Sequence, residues 1–141
     1  MKSRVLFLCT GNSCRSQMAE GFARVFKGEA IEPFSAGLLA KGLDPRAVRV
    51  MREAGVDISG QRSKTLDDLA GERFDWVVTV CGHAHETCPV FPAGARVLHR
   101  GFDDPPRLAE GARSEEEALA HYRRVRDEIR RFVESLPEGL G

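Results

Sequence analysis

The sequence contains no long apolar run, no excess of either charge, and no repeat or low-complexity segment. The apolar residues 5–8 near the N-terminus are too few for the core of a signal peptide or for a membrane span. The 21 basic and 21 acidic residues cancel, which argues against a bulk attraction to nucleic acids or acidic membranes. We therefore expect a cytoplasmic protein that binds neither nucleic acid nor membrane. We also expect a monomer. Residues 1–141 are enough for one domain with its own core.

Cysteine is also scarce, with four residues in the chain. Cytosolic thiols stay reduced unless they are catalytic or hold a metal, so these four point to chemistry. Cys9 directly follows the apolar residues 5–8, and Arg15 comes six positions later. This spacing alone is weak evidence, because a buried cysteine beside a surface arginine produces it too. The context adds specificity: Gly11 and Asn12 adopt a left-handed backbone at low cost, and a helical pattern follows Arg15.

A short loop between a strand and a helix can bind a tetrahedral oxyanion. Its backbone N–H groups converge on the anion, and the N-terminus of the helix adds partial positive charge. Arg15 can hold two anion oxygens with its planar guanidinium, which a lysine cannot do. The same positive field favours the thiolate form of Cys9.

Strand and helix patterns alternate along the chain. Strands are predicted at 4–9, 31–35, 76–80 and 96–99, and helices at 16–27, 45–55, 65–71 and 114–136. Alternation of this kind predicts an α/β domain with a parallel sheet covered on both faces. Ligands of such sheets bind beyond the carboxyl ends of the strands, where we expect both Cys9 and Cys81.

Cys81 and Cys88 enclose two histidines, His83 and His85, within eight residues. The four side chains are suitable zinc ligands, but structural zinc sites usually draw their ligands from two separate segments. As a redox pair on a helix, the two cysteines would have Cα atoms about 10 Å apart, beyond the reach of a disulfide. Pairing would require local unwinding, which suits a switch. The residues alone leave both interpretations open.

Asp103 and Asp104 precede two prolines, which predicts a rigid loop after the fourth strand. Such a loop can hold Asp104 over the anion site, where it would act as a general acid for a departing oxygen. Ordinary acidic turns have the same composition. The interpretation of Asp104 therefore depends on the loop that follows Cys9.

Together these segments resemble the thioredoxin-coupled arsenate reductases, which share the fold of low molecular weight protein tyrosine phosphatases. The resemblance extends from Val5 to about Ile129. It is carried by four segments: residues 9–20, residues 35–37, the Cys81/Cys88 pair and residues 101–105. It implies a four-stranded parallel sheet with helices on both faces.

The resemblance also implies roles for individual residues. Cys9 would be the nucleophile and Asp104 the general acid. Ser16 would stabilise the Cys9 thiolate, Asn12 would hold the shape of the loop, and Cys14 would have no covalent role. The implied oxyanion-binding residues are Thr10, Gly11, Asn12, Ser13, Cys14, Arg15 and Ser16.

The implied reaction is a thiol relay that reduces arsenate to arsenite. Cys9 attacks arsenic, Cys81 attacks Cys9 as arsenite leaves, and Cys88 then attacks Cys81, so that thioredoxin can reduce the final disulfide. This relay needs no bound cofactor and no metal. Phosphate and sulfate are expected to compete with arsenate.

Two alternatives accompany this interpretation. A protein tyrosine phosphatase needs only Cys9, Arg15 and Asp104, but residues 37–44 offer no aromatic wall and Pro106 stands where such phosphatases place a tyrosine. A weak phosphatase side activity is therefore expected at most. The other alternative is a non-catalytic thiol protein that binds a soft metal.

One residue departs from the family pattern. Members that bind potassium beside the loop use residues corresponding to Asn12, Glu20 and Ser35, and an aspartate where this chain has Lys64. A lysine cannot ligate a cation. We expect its ammonium group to take the place of the ion.

Overall fold

The computed structural model describes residues 2–80 and 94–141. Its sheet has four strands: β1 (Ser3–Cys9), β2 (Ile31–Gly37), β3 (Trp76–Thr79) and β4 (Arg96–His99). All neighbouring strands are parallel, in the order β2-β1-β3-β4. The predicted α/β fold with a four-stranded parallel sheet is confirmed. Cys81, His83, His85 and Cys88 lie outside the described residues.

The described residues contain four α-helices: α1 (Arg15–Phe26), α2 (Pro45–Glu53), α3 (Pro105–Ala109) and α4 (Glu115–Glu134). Asp44 and Ser114 cap α2 and α4 by accepting bonds from Arg46 N and Glu117 N, as their sequence positions predict. The predicted helix near Thr65 is a short 3-10 helix, Leu66–Leu69, with a complete capping box. A second 3-10 helix spans Glu138–Leu140.

The prediction of a loop around Asp103 and Asp104 is wrong in one respect. The two prolines that follow begin helix α3, and Asp104 occupies its N-cap position. Proline favours the first turn of a helix, because its fixed φ suits the helix and its missing N–H is not needed there. Asp104 is thus held by a helix start as well as by the chain that precedes it.

Strand β1 is the centre of the core, with residues 5–9 buried. Val5 and Phe7 belong to a large cluster that includes apolar residues of α1, α2 and α4, and Leu6 and Leu8 belong to a smaller one on the other face. The 3-10 helix Leu66–Leu69 contributes its two leucines to that smaller cluster. Burial on both faces is typical of a central parallel strand. No helix in residues 2–80 or 94–141 is long and apolar enough to cross a membrane.

Gly21 allows helix α1 to pack closely against its neighbours. A Cβ atom at this position would lie 2.5 Å from Ile58 Cγ2 and 3.3 Å from Met51 Cε. These neighbours are themselves fully buried. The helix can approach them only because residue 21 has no side chain.

We expect the Gly21→Ala variant to be destabilised by about 1–3 kcal/mol, the usual cost of overpacking a core. Alanine has a better helix propensity than glycine, worth about 1 kcal/mol. This gain does not offset the cost of the steric clash with Ile58. Urea denaturation measures the effect. Gly60→Ala is the matched control, because a Cβ there meets nothing within 4 Å. Equal unfolding midpoints for the two variants would contradict this account of the packing.

Candidate active site

Residues 10–14 form a loop between the end of β1 and the start of α1. Three of its carbonyl oxygens accept hydrogen bonds from the segment after β2: Leu39 N to Thr10 O (2.9 Å), Lys41 N to Gly11 O (2.9 Å) and Asp44 N to Ser13 O (3.0 Å). In a trans peptide the C=O and the next N–H point in opposite directions. The corresponding N–H groups of the loop therefore point away from that segment, as an anion site requires.

Gly37 allows the end of β2 to approach the loop. A Cβ here would lie 2.5 Å from Leu39 O, 2.7 Å from Asn12 N and 2.8 Å from Thr10 O. No side chain fits among three backbone atoms at these distances. The close contact explains physically why the segment 35–37 ends in glycine.

The loop encloses a cavity of about 130 Å³, well below the roughly 300–1,000 Å³ of pockets for drug-sized ligands. The residues that line it are Cys9, Thr10, Gly11, Ser13, Cys14, Arg15, Lys41, Asp104 and Pro106. Cys9 is buried and Lys41 is exposed, so the thiol lies deep in the cavity and the lysine at its rim. Asn12 and Ser16, also predicted to bind the anion, are fully buried and are not among the lining residues.

Asn12 occupies the left-handed backbone region, with φ at 47°. Its side-chain oxygen accepts hydrogen bonds from Lys64 N (2.8 Å) and Gln17 Nε2 (2.9 Å). Its amide nitrogen donates to Ser16 Oγ (2.9 Å) and Ser35 Oγ (3.0 Å). Two donors on the oxygen and two acceptors on the nitrogen allow only one orientation of the amide.

The orientation of Asn12 determines that of the Ser16 hydroxyl. Ser16 Oγ accepts from Asn12, so its own hydrogen is available to Cys9 Sγ, which lies 2.8 Å away. A hydrogen bond donated to sulfur favours the charged form of a thiol. The Ser16 hydroxyl therefore has the position that its predicted role beside Cys9 requires.

A chain of side-chain amides extends from Asn12 to the surface. Gln17 Oε1 accepts from Gln61 Nε2 (2.7 Å), and Gln61 Oε1 accepts from Arg24 Nη2 (2.8 Å). Arginine can only donate, so every amide in the chain has one consistent orientation. The sequence did not indicate this role for Gln17, because a glutamine in the first turns of a helix usually faces solvent.

Arg15 is held at the cavity by the segment before α3. Its Nη1 donates to Phe102 O (2.9 Å), and its Nη2 lies 3.5 Å from Asp104 Oδ1. The neighbouring Asp103 instead pairs with Arg124 of α4 at 2.9 Å. Of the two aspartates, Asp104 is the one that lines the cavity.

Residues 4–141 match the family of low molecular weight phosphotyrosine protein phosphatases. The chain belongs to this family. It is 48% identical to an arsenate reductase of Halalkalibacterium halodurans over 137 residues, which cover 97% of this chain and 96% of the relative. It is 50% identical to an arsenate reductase of Bacillus subtilis over 130 residues, 92% and 91% of the two chains.

Solved structures show the same fold. An arsenate reductase in a phosphate-binding state matches with a TM-score of 0.77 and 33% identity, over all of both chains. A low molecular weight protein tyrosine phosphatase from T. tengcongensis matches with a TM-score of 0.75 and 29% identity, over 97% of this chain and 99% of that one. The resemblance to arsenate reductases of this fold is therefore confirmed.

Cys14, at the end of the loop formed by residues 10–14, is in a different environment from Cys9. Burial raises the pKa of the Cys14 thiol well above its ordinary value, and the nearby carboxylate of Asp44 raises it further. Asp44 in turn accepts a 2.6 Å hydrogen bond from the Tyr122 hydroxyl of α4. Because the thiolate is the nucleophilic form, this environment disfavours Cys14 as a nucleophile.

Lys64 lies where the sequence comparison expects a cation. Its Nζ is 3.6 Å from Glu20 Oε1, and both side chains are largely buried, with 13% and 16% exposed. Ser35 Oγ also donates to Glu20 Oε1 (2.5 Å). These residues do not fit a bound potassium ion, because the ammonium group already neutralises the carboxylate that would ligate it.

Cys81 and Cys88, which form the second half of the predicted relay, lie outside the described residues. The strand that leads to Cys81 is described. Thr79 pairs with Leu8, and Val80 N donates to Leu8 O (2.9 Å). Within residues 2–80 and 94–141, no three metal-ligating side chains form a cluster.

We expect the reactivity of Cys9 to be independent of potassium, because Lys64 supplies the positive charge beside Glu20. The rate of alkylation by iodoacetamide should be equal in potassium chloride and in tetramethylammonium chloride at the same ionic strength. Lys64→Asp is the contrasting variant, which restores a carboxylate and should gain a potassium dependence. A several-fold effect of potassium on the unmodified protein would contradict the role assigned to Lys64.

Proposed function

We propose that this chain reduces arsenate to arsenite, with Cys9 as the nucleophile. The observation that carries the proposal is the position of the Cys9 thiol. It lies deep in a small anion-sized cavity, accepts a hydrogen bond from Ser16, and shares the cavity with Arg15 and Asp104. Arsenate reductases about half identical over nearly the whole chain support this substrate.

In the first step, the Cys9 thiolate attacks the arsenic atom. A sulfur–arsenic bond forms as one arsenic–oxygen bond breaks, and the departing hydroxyl leaves as water with a proton from Asp104. Arg15 and the N–H groups of the loop hold the remaining oxygens. The thiolate and the acid are thereby held in position around one arsenic atom, which lowers the activation free energy of the attack.

In the second step, the Cys81 thiolate attacks Cys9 Sγ. The electron pair of the sulfur–arsenic bond goes to arsenic, so arsenate is reduced to arsenite as a Cys9–Cys81 disulfide forms. Cys88 then attacks Cys81, which frees Cys9 and leaves a Cys81–Cys88 disulfide. The pairing of Thr79 with Leu8 supports this order, because it places the chain that leads to Cys81 beside the strand that ends in Cys9.

A thioredoxin dithiol completes the cycle in this proposal by reducing the Cys81–Cys88 disulfide. Since the protein thiols and thioredoxin supply both electrons, the reaction uses no bound cofactor or metal. Phosphate and sulfate compete for the same cavity. We place the enzyme in the cytoplasm, where thioredoxin is kept reduced. We also propose that it is a monomer.

Phosphatase activity is the second candidate, since one matching structure is a tyrosine phosphatase. None of the residues that line the cavity is aromatic, so a phosphotyrosine ring has no stacking partner among the described residues. We expect slow hydrolysis of small aryl phosphates, independent of Cys81 and Cys88. Efficient phosphotyrosine hydrolysis, or about one zinc ion per purified chain, would favour the alternatives over arsenate reduction.

The two aspartates before α3 should differ sharply in importance. Asp104→Asn removes the acid and should slow formation of the Cys9–arsenate adduct by about 10²- to 10⁴-fold. Asp103→Asn, the matched control, breaks only a surface ion pair with Arg124 and should have little effect, as surface pairs contribute about 0–1 kcal/mol. Single-turnover kinetics with arsenate measure both. The reverse ranking would show that the acid is Asp103.

The relay assigns different outcomes to the loss of Cys81 and Cys88. In arsenate-dependent NADPH oxidation coupled through thioredoxin and its reductase, Cys9→Ser, Cys81→Ser and Cys88→Ser should all lack sustained turnover. In a single turnover without external thiol, Cys88→Ser should still release about one arsenite per chain and stop as a Cys9–Cys81 disulfide. Cys81→Ser should release none, because nothing attacks the adduct.

Peptide mapping of the oxidised protein separates the relay from other thiol mechanisms. The unmodified chain should contain a Cys81–Cys88 bond after reaction with arsenate. The Cys88→Ser variant should contain Cys9–Cys81 instead. Sustained turnover of Cys88→Ser at the full rate would rule out the relay even if arsenate reduction itself is observed.

A further inference from the structure

Lys41 lies at the rim of the cavity but has no part in the reaction derived above. Its backbone N–H donates to Gly11 O (2.9 Å), which fixes its main chain against the loop. A Cβ at Gly11 would lie 2.8 Å from Lys41 Cδ and 3.1 Å from Lys41 Cγ. The aliphatic part of the lysine thus crosses the loop where Gly11 has no side chain, and the residue forms part of the cavity wall.

The ammonium group of Lys41 is available to an anion. Among residues 2–80 and 94–141, no carboxylate forms an ion pair with it, whereas Arg15 faces Asp104 and Lys64 faces Glu20. The side chain is also exposed. A bound oxyanion at the rim would meet a cation that no carboxylate in this part of the chain neutralises.

Lys41 supplies one of the two positive charges that line the cavity among the described residues. The other belongs to Arg15, which already faces Asp104. Removal of Lys41 lowers the charge of this lining by one unit. An incoming dianion then loses the attraction of a cation at a few ångströms in a partly enclosed site, which weakens binding about tenfold or more.

We propose that Lys41 determines the specificity of the cavity for free inorganic oxyanions. Its ammonium group attracts the outward-facing oxygen of the anion, and its aliphatic part occupies space that an organic substituent on that oxygen needs. The proposal deepens the proposed function, on which it relies only for the natural substrate. The selection of a free oxyanion over an aryl ester follows from the rim. Within residues 2–80 and 94–141, its walls include the stem of Lys41 and the ring of Pro106, and no aromatic side chain lines it.

Oxyanion binding can be measured without turnover, as the concentration of inorganic phosphate that half-protects Cys9 from iodoacetamide. Lys41→Met keeps the length of the side chain and removes the charge, and should weaken protection about tenfold at low ionic strength. The difference should shrink as salt is added, and Lys41→Arg should restore binding. Lys2→Met is the matched control: it removes the same charge before β1, roughly 20 Å from Cys9 at about 3.3 Å per strand residue.

Phenylphosphonate tests the role of the aliphatic part. Lys41→Ala removes the charge and the aliphatic stem together. Its ratio of affinities, phenylphosphonate over phosphate, should be at least fivefold higher than that of Lys41→Met. If phosphate protects Cys9 equally well in Lys41→Met and in Lys2→Met, the role assigned to the charge of Lys41 is overturned. If the ratio of the affinities for phenylphosphonate and phosphate is the same in Lys41→Ala and Lys41→Met, the role of Lys41 in specificity is overturned.

The same assay separates this proposal from the proposed function. If the unmodified chain fails to reduce arsenate but Lys41→Met weakens phosphate protection, the role of Lys41 stands and the assigned reaction fails. If the unmodified chain reduces arsenate, and phosphate protects Cys9 of Lys41→Met as well as it does in the control, the assigned reaction stands. Lys41 is then only a surface residue. Thermal unfolding of each variant confirms that the exposed position leaves the fold intact.

Discussion

The side-chain amide of Asn12 is the contact on which the oxyanion loop depends. It is completely buried, and its four hydrogen bonds reach three parts of the fold: one goes to the 62–65 segment, two go to helix α1, and one goes to strand β2. A buried amide left without partners costs about 1–3 kcal/mol per lost bond. In the described part of the chain no buried side-chain polar atom lacks a partner, so any rearrangement of the loop that breaks these bonds carries that cost.

That shape matters because the cavity is assembled from segments far apart in sequence. Strand β1 brings Cys9, the segment after β2 turns the loop carbonyls outward, and the chain before α3 brings Asp104 against Arg15. Each of these segments follows the carboxyl end of a parallel strand, where open α/β sheets form their ligand sites. The sheet therefore provides the alignment, while the short connections provide the chemistry.

The sequence was a good guide to features determined locally. The apolar residues of β1, the cap at Asp44 and the loop ending at Arg15 each follow from neighbouring residues. It did not indicate Gln17 or Lys41, because their roles depend on contacts with Gln61 and Gly11 that only the folded chain creates. The start of a helix directly after Asp104 was missed for a related reason, since a pair of prolines is compatible both with a rigid loop and with a first helical turn.

Helix α4 braces both sides of the cavity at once. Tyr122 bonds to Asp44, whose own N–H holds the loop at Ser13, and Arg124, two residues further along the helix, holds Asp103 beside the acid. Two residues correspond to about 200° of helix rotation, so the contacts leave opposite sides of one rigid rod. A helix from the far end of the sequence therefore contacts the segments behind both walls of the cavity, through the buried Tyr122 on one side and through an exposed, weaker ion pair on the other.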